Sequence, residues 1–96
     1  MTKSFNKLVR DNIPDICRAN GQTPNTKILD DQSYTLELNK KLKEETEEYL
    51  SSSEIEELAD IVEVVEALAE NLGSSLREVM EIKQRKQKIN GAFKDK

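Results

Sequence analysis

Glu45 and Glu48, then Glu57 and Asp60, form two acidic pairs, each with i, i+3 spacing. Each pair lies at or beside the apolar stripe of a predicted helix, where carboxylates are costly to bury. Taking a carboxylate out of water without a counter-charge costs several kcal/mol per ion, even after relaxation. A bound cation or protonation removes that cost. Four carboxylates offer oxygen alone, a donor set that selects Mg²⁺, Mn²⁺ or Ca²⁺ over softer metals. The chemistry this pattern points to is therefore a hard divalent cation working on phosphates. Mg²⁺ is the first expectation and Mn²⁺ the second.

Face arithmetic separates these acids from their neighbours. A helix turns about 100° per residue. On that basis Leu38, Leu42 and Tyr49 share one stripe of a helix predicted from near residues 31–33 to about Leu50, and Glu45 falls on the same stripe. Glu48 lies at its edge, and Glu44 and Glu47 point further away. In the next predicted helix the apolar arc holds Ile61, Val64, Val65, Leu68 and Leu72. Glu57 lies inside that arc and Asp60 flanks it. Glu63, Glu66 and Glu70 fall opposite, where water can solvate them. The competing reading is a solvated acidic face, the usual origin of such runs. Intrusion on two apolar stripes, on helices joined by a short turn, argues for a cation.

Basic residues offer the complementary charge. Leu76, Val79, Met80, Ile82 and Ile89 define the apolar side of a last helix, and Lys83, Lys86 and Asn90 fall within that arc. Lysines placed so can meet phosphate oxygens, or snorkel along the core with their amines in water. Lys7 and Arg10, three apart, are a weaker pair for the same task.

Four helices must position these groups. Pro14 suits a helical first turn, because its missing N–H would be unpaired there anyway, and Gly21 stops that helix. Residues 22–30 read as loop around Pro24. Ser51-Ser52-Ser53 breaks the second helix, and Ser53 with Glu56 fits a capping box that opens the third. The third runs to Leu72 and stops at Gly73. Ser75 with Glu78 opens the fourth, which ends near Asn90 and Gly91. No strand pattern or internal repeat is present. The expected fold is one all-α domain over residues 1–96, resembling a four-helix bundle with antiparallel neighbours.

Composition narrows the setting. At 96 residues and net charge −4, the chain has a thin core, and a partner subunit is a natural way to bury more of it. Acids gather between Glu37 and Glu70 and bases toward the end, which argues against binding nucleic-acid polymers through a basic face. With no histidine, a His-ligated zinc site and His-based catalysis are excluded. The single cysteine, Cys17, rules out an internal disulfide and reads as a small packing residue. No apolar run approaches the length that crosses a bilayer, about 20 residues. Residues 1–4 do not resemble a signal peptide, so the cytoplasm is the expected compartment.

Glu44-Glu45-Thr46-Glu47-Glu48 followed by Glu57-Leu58-Ala59-Asp60 resembles the EExxE…ExxD signature of the all-α nucleoside triphosphate pyrophosphohydrolases. That superfamily includes the MazG proteins, the dimeric dUTPases and the phosphoribosyl-ATP pyrophosphohydrolases. Lys7-Leu8-Val9-Arg10-Asp11-Asn12-Ile13-Pro14 is similar to the KLVRDxIP opening of a small branch close to the MazG and phosphoribosyl-ATP pyrophosphohydrolase groups. Asn90-Gly91-Ala92-Phe93 is similar to that branch's RGGF segment. The likeness runs over nearly the whole chain. It implies a helical bundle that assembles as a homodimer or homotetramer and hydrolyses a nucleoside triphosphate between the α and β phosphates. It also implies Mg²⁺ on Glu45, Glu48, Glu57 and Asp60, with Glu45 or Glu48 activating water. Lys86 matches a phosphate-contacting position, while Glu44, the motif's first acid, is peripheral by face arithmetic. Asn90 stands where the branch often has arginine, and Ala92 where it has glycine. Losing a guanidinium removes a bidentate phosphate contact. A non-catalytic nucleotide-binding or helical assembly module is the alternative expectation.

Overall fold

The computed structural model describes residues 7–96, all helical or irregular, with four helices among them. Residues 1–4, read above for a leader, lie outside that range. Helix α1 covers Ile13–Ala19, α2 Asp31–Ser52, α3 Ile55–Asn71 and α4 Leu76–Asn90. The all-α expectation holds for these residues. None of the helices is long and apolar enough to cross a membrane.

Local chemistry explains most boundaries. Pro14 sits in the first turn of α1. Asp30 caps α2 by accepting the Ser33 backbone N–H at 2.8 Å. That bond holds the Asp30 carboxyl below its ordinary range. Ser75 Oγ accepts the Glu78 backbone N–H at 3.1 Å and caps α4 as the pattern predicts. After α3 the chain turns at Gly73, which has a positive φ. Glycine adopts that left-handed conformation without strain.

The α2–α3 junction corrects one expectation. Ser53 does not open α3. It closes α2 in the left-handed region (φ 56°, ψ 29°), donating its backbone N–H to Tyr49 O at 2.7 Å. An N-cap needs extended backbone, which Ser53 has given up. The role passes to Glu54, which is extended but makes no side-chain capping bond. Consequently α2 reaches Ser52, past the expected break.

Packing concentrates between α2 and α3, with α4 resting on α3 alone and α1 on no other described helix. The Asn71 side chain donates to Thr35 Oγ1 at 2.9 Å, tying the end of α3 to the start of α2. Among the described residues the buried apolar core is Leu38 of α2 with Val64 and Ala69 of α3. Around it Leu42, Tyr49, Ile61, Val65 and Leu68 are half-buried, as their stripes require. Leu72, expected in the α3 arc, is 84 % exposed because the helix ends just before it. Cys17 is half-buried.

A candidate metal centre between two helices

Helix pairing decides which acids meet. Glu45 comes from the second half of α2, and Glu57 and Asp60 from the first half of α3. One carboxylate oxygen from each lies within 4.8 Å of the other two. A cation about 2.1–2.4 Å from each ligand holds oxygens at most about 4.2–4.8 Å apart, so small side-chain movements close the trio around Mg²⁺ and smaller ones around Ca²⁺. Glu45 is 6 % exposed, the single buried charged side chain among the described residues. Glu57 and Asp60 are half-buried. Oε2 of Glu45 and Oε2 of Glu57 are buried with no hydrogen-bond partner. A buried carboxylate oxygen left unpaired costs its full desolvation penalty. These orphaned oxygens fit a hard cation, which takes such oxygens as ligands.

Cations of the chain itself surround the trio. Lys41 Nζ lies 3.1 Å from Glu45 Oε1 and 3.3 Å from Glu44 Oε2. The Arg10 guanidinium reaches Asp60 Oδ1 at 2.7 Å, and Lys7 Nζ reaches Glu44 Oε1 at 3.0 Å. The opening segment thus lies against α2 and α3. It walls an open hollow of about 250 Å³ whose lining includes Val9, Arg10, Tyr34, Lys41, Glu45 and Asp60. A second hollow of about 300 Å³ adjoins the same acids and also touches Lys7 and Ile13.

These surroundings set protonation. Burial pushes the Glu45 carboxyl up; Lys41 pulls against it and neighbouring Glu48 adds to the rise, leaving it above its ordinary value. Burial also pushes Glu44 up, but the bonds from Lys7 and Lys41 outweigh that and hold it low. Lys41 is opposed by its own desolvation, yet its two glutamates keep its pKa above the ordinary lysine value.

Among the residues singled out by sequence, Glu45, Glu57 and Asp60 are brought together. Glu48 is exposed, next to Glu45 but outside the trio. Glu44 is peripheral, as its face implied. Lys7 and Arg10 do reach the acids. Lys83, Lys86 and Asn90 are exposed, line neither hollow and make no ion pair among the described residues. Lys41 was missed. Its spacing to Glu44 and Glu45, i+3 and i+4, was a visible signal of helical ion pairing.

Comparison with protein families, with curated proteins and with solved structures finds no match for this chain.

Proposed function

We propose that this chain is a Mg²⁺-dependent nucleoside triphosphate pyrophosphohydrolase, cleaving between the α and β phosphates. The observation that carries the reading is the convergence of Glu45, Glu57 and Asp60 with two buried, unpartnered carboxylate oxygens. The resemblance of the acidic signature and of residues 7–14 supplies the reaction class. The trio, with Glu48 at its solvent edge, would hold Mg²⁺ or Mn²⁺, which would supply positive charge to the phosphate oxygens. Glu48 is exposed beside the trio and takes the water-activating role, accepting the proton of the attacking water. The water oxygen bonds to the α-phosphorus, the bridging P–O bond breaks and pyrophosphate leaves. Arg10 and Lys41 stand nearest the cluster and supply positive charge to the leaving group. A homo-oligomer in the cytoplasm belongs to the same reading.

One observation favours a second reading, a metal- or nucleotide-binding module without turnover. Lys41 and Arg10 already neutralise part of the cluster, while Lys83, Lys86 and Asn90 line neither hollow beside it. Pyrophosphate release from a panel of nucleoside triphosphates with Mg²⁺ separates the two. Turnover abolished by Glu57→Gln supports the enzyme. Thermal stabilisation by Mg²⁺ and nucleotide without pyrophosphate release supports the module. A chain that shows neither pyrophosphate release nor stabilisation refutes both readings.

A further inference from the structure

The first hollow beside the acidic trio is a groove with two unlike ends. Its α2 wall is Tyr34, Leu38, Lys41 and Glu45, whose spacing makes one stripe of the helix. Its α3 wall runs from Asp60 past Val64 and Ala67 to Glu70. Two contacts set the register: Glu45 meets Asp60 at one end, and Asn71 bonds Thr35 at the other. At 1.5 Å per residue, each wall is about 15–16 Å long. Leu8 and Val9 of the opening segment add a third side.

Charge distinguishes the ends. Arg10 and Lys41 are the only basic residues lining the hollow, and both sit at the trio, on Asp60 and Glu45. The far end pairs the half-buried Tyr34 with Ala67, Glu66 and Glu70. Helical periodicity turns Glu66 and Glu70 away from the apolar arc of α3, yet in the folded chain both border the hollow, and Glu66 is half-buried. Their carboxylates make no hydrogen bond or ion pair among the described residues. An ionised carboxylate only accepts hydrogen bonds. The far end therefore offers a ligand an aromatic ring, apolar contact and two acceptors, without positive charge.

Resting on the functional reading for its phosphate end, we infer that the far end seats the nucleobase, and that Glu66 and Glu70 select a base bearing an exocyclic amino group. The groove's polarity orients the nucleotide, with the triphosphate toward Arg10, Lys41 and the trio and the base toward Tyr34. Stacking on Tyr34 favours all bases alike, because every base has a π face. The two glutamates separate them. An amino N–H donates to a carboxylate, whereas a carbonyl in its place sets acceptor against acceptor and leaves the carboxylate unpaired.

The test titrates the full chain with Mg²⁺ and the α,β-methylene analogues of GTP, ITP, CTP and UTP, which cannot be cleaved between the α and β phosphates. GTP exceeds ITP by one amino group, and CTP has an amino group where UTP has a carbonyl. Calorimetry is expected to show the amino-bearing member of each pair binding about tenfold tighter, the value of one hydrogen bond to a charged group. Glu66→Gln with Glu70→Gln brings both ratios close to unity, because an amide both donates and accepts. Glu70→Gln alone, at an exposed position outside the core, lowers them partway. Tyr34→Leu weakens all four analogues and keeps the ratios. Equal affinities within each pair, a preference that the double glutamine variant retains, or no binding of any analogue overturns the inference. Pyrophosphate release from the four natural triphosphates tells its failure from that of the enzymatic reading. Discriminating binding without release removes the enzyme and supports the base site, whereas release without discrimination supports the enzyme and overturns the base site.

Discussion

Glu45→Gln tests whether the acidic trio is built around a missing charge or is a finished ion-pair network. The trio's oxygens lie within 4.8 Å of one another, and Lys41 Nζ lies 3.1 Å from Glu45. At an effective dielectric of about 20, two unit charges at the first distance repel by about 3.5 kcal/mol, and a pair at the second attracts by about 5 kcal/mol. With all three acids charged, Glu45 therefore feels at least about 7 kcal/mol of repulsion from Glu57 and Asp60, against about 5 kcal/mol of attraction to Lys41. Arg10 reduces the Asp60 share, which brings the Coulomb terms close to balance. Desolvation of a side chain only 8 % exposed, with one oxygen unpartnered, then tips the sum against the charged form. Glutamine keeps the shape and removes the charge, and Lys41 retains Glu44 at 3.3 Å. Without divalent cation, Glu45→Gln is expected to stabilise the fold by at least about 1 kcal/mol, or about 4–8 °C in melting temperature. With Mg²⁺ at about ten times its dissociation constant, the wild type gains about 1.4 kcal/mol, and the variant loses most of that response. Differential scanning fluorimetry in a chelator and then in Mg²⁺ reads both effects. A variant that melts below the wild type in chelator yet keeps the full Mg²⁺ response refutes this account of the trio.

Acid pH separates the two neighbouring glutamates. The Glu44 carboxyl is held below its ordinary value of 4.5, so its stabilisation is present above that value and lost as pH falls through the folded one. Glu45 is held above 4.5, so its contribution is present below that value and lost as pH rises through the folded one. Melting curves across this range are expected to lose their acid-side slope in Glu44→Gln and their neutral-side slope in Glu45→Gln. At the helix ends, Ser75 Oγ holds the Glu78 N–H. Ser75→Ala removes that capping bond and costs about 1 kcal/mol. Ser53 is left-handed. Ser53→Gly relieves that backbone and stabilises by roughly half a kcal/mol, once the added freedom of the unfolded chain is subtracted. Chemical denaturation checks both signs, and a destabilising Ser53→Gly contradicts the capping role assigned to that residue. Leu38 is fully buried at the centre of the α2–α3 contact. Leu38→Ala is expected to cost about 2–5 kcal/mol. A loss under about 1 kcal/mol, read by the same method, shows that the core lies elsewhere.

Helix count, helix identity and most helix ends follow from residues close in sequence, because caps, Gly, Pro and the helical period act within one or two turns. Ser75, Pro14 and the Leu38 and Val64 stripes were legible for that reason. Ser53 was misread because two helix ends compete for the same three serines, and one backbone cannot be left-handed for α2 and extended for α3. The acids of the candidate centre could be nominated by face, since an orientation about the helix axis is a local property. Which of them meet was decided by the packing of α2 on α3, which brings Glu57 and Asp60 to Glu45 and leaves Glu48 at the rim. The landing of Lys7 and Arg10 on Glu44 and Asp60, far away in sequence, had no local signal at all. Likewise the sequence marks α4 as amphipathic, but the tertiary structure alone shows α3 covering its first turns and leaving Ile89, Lys83 and Lys86 exposed, because burial depends on what the chain places opposite a stripe.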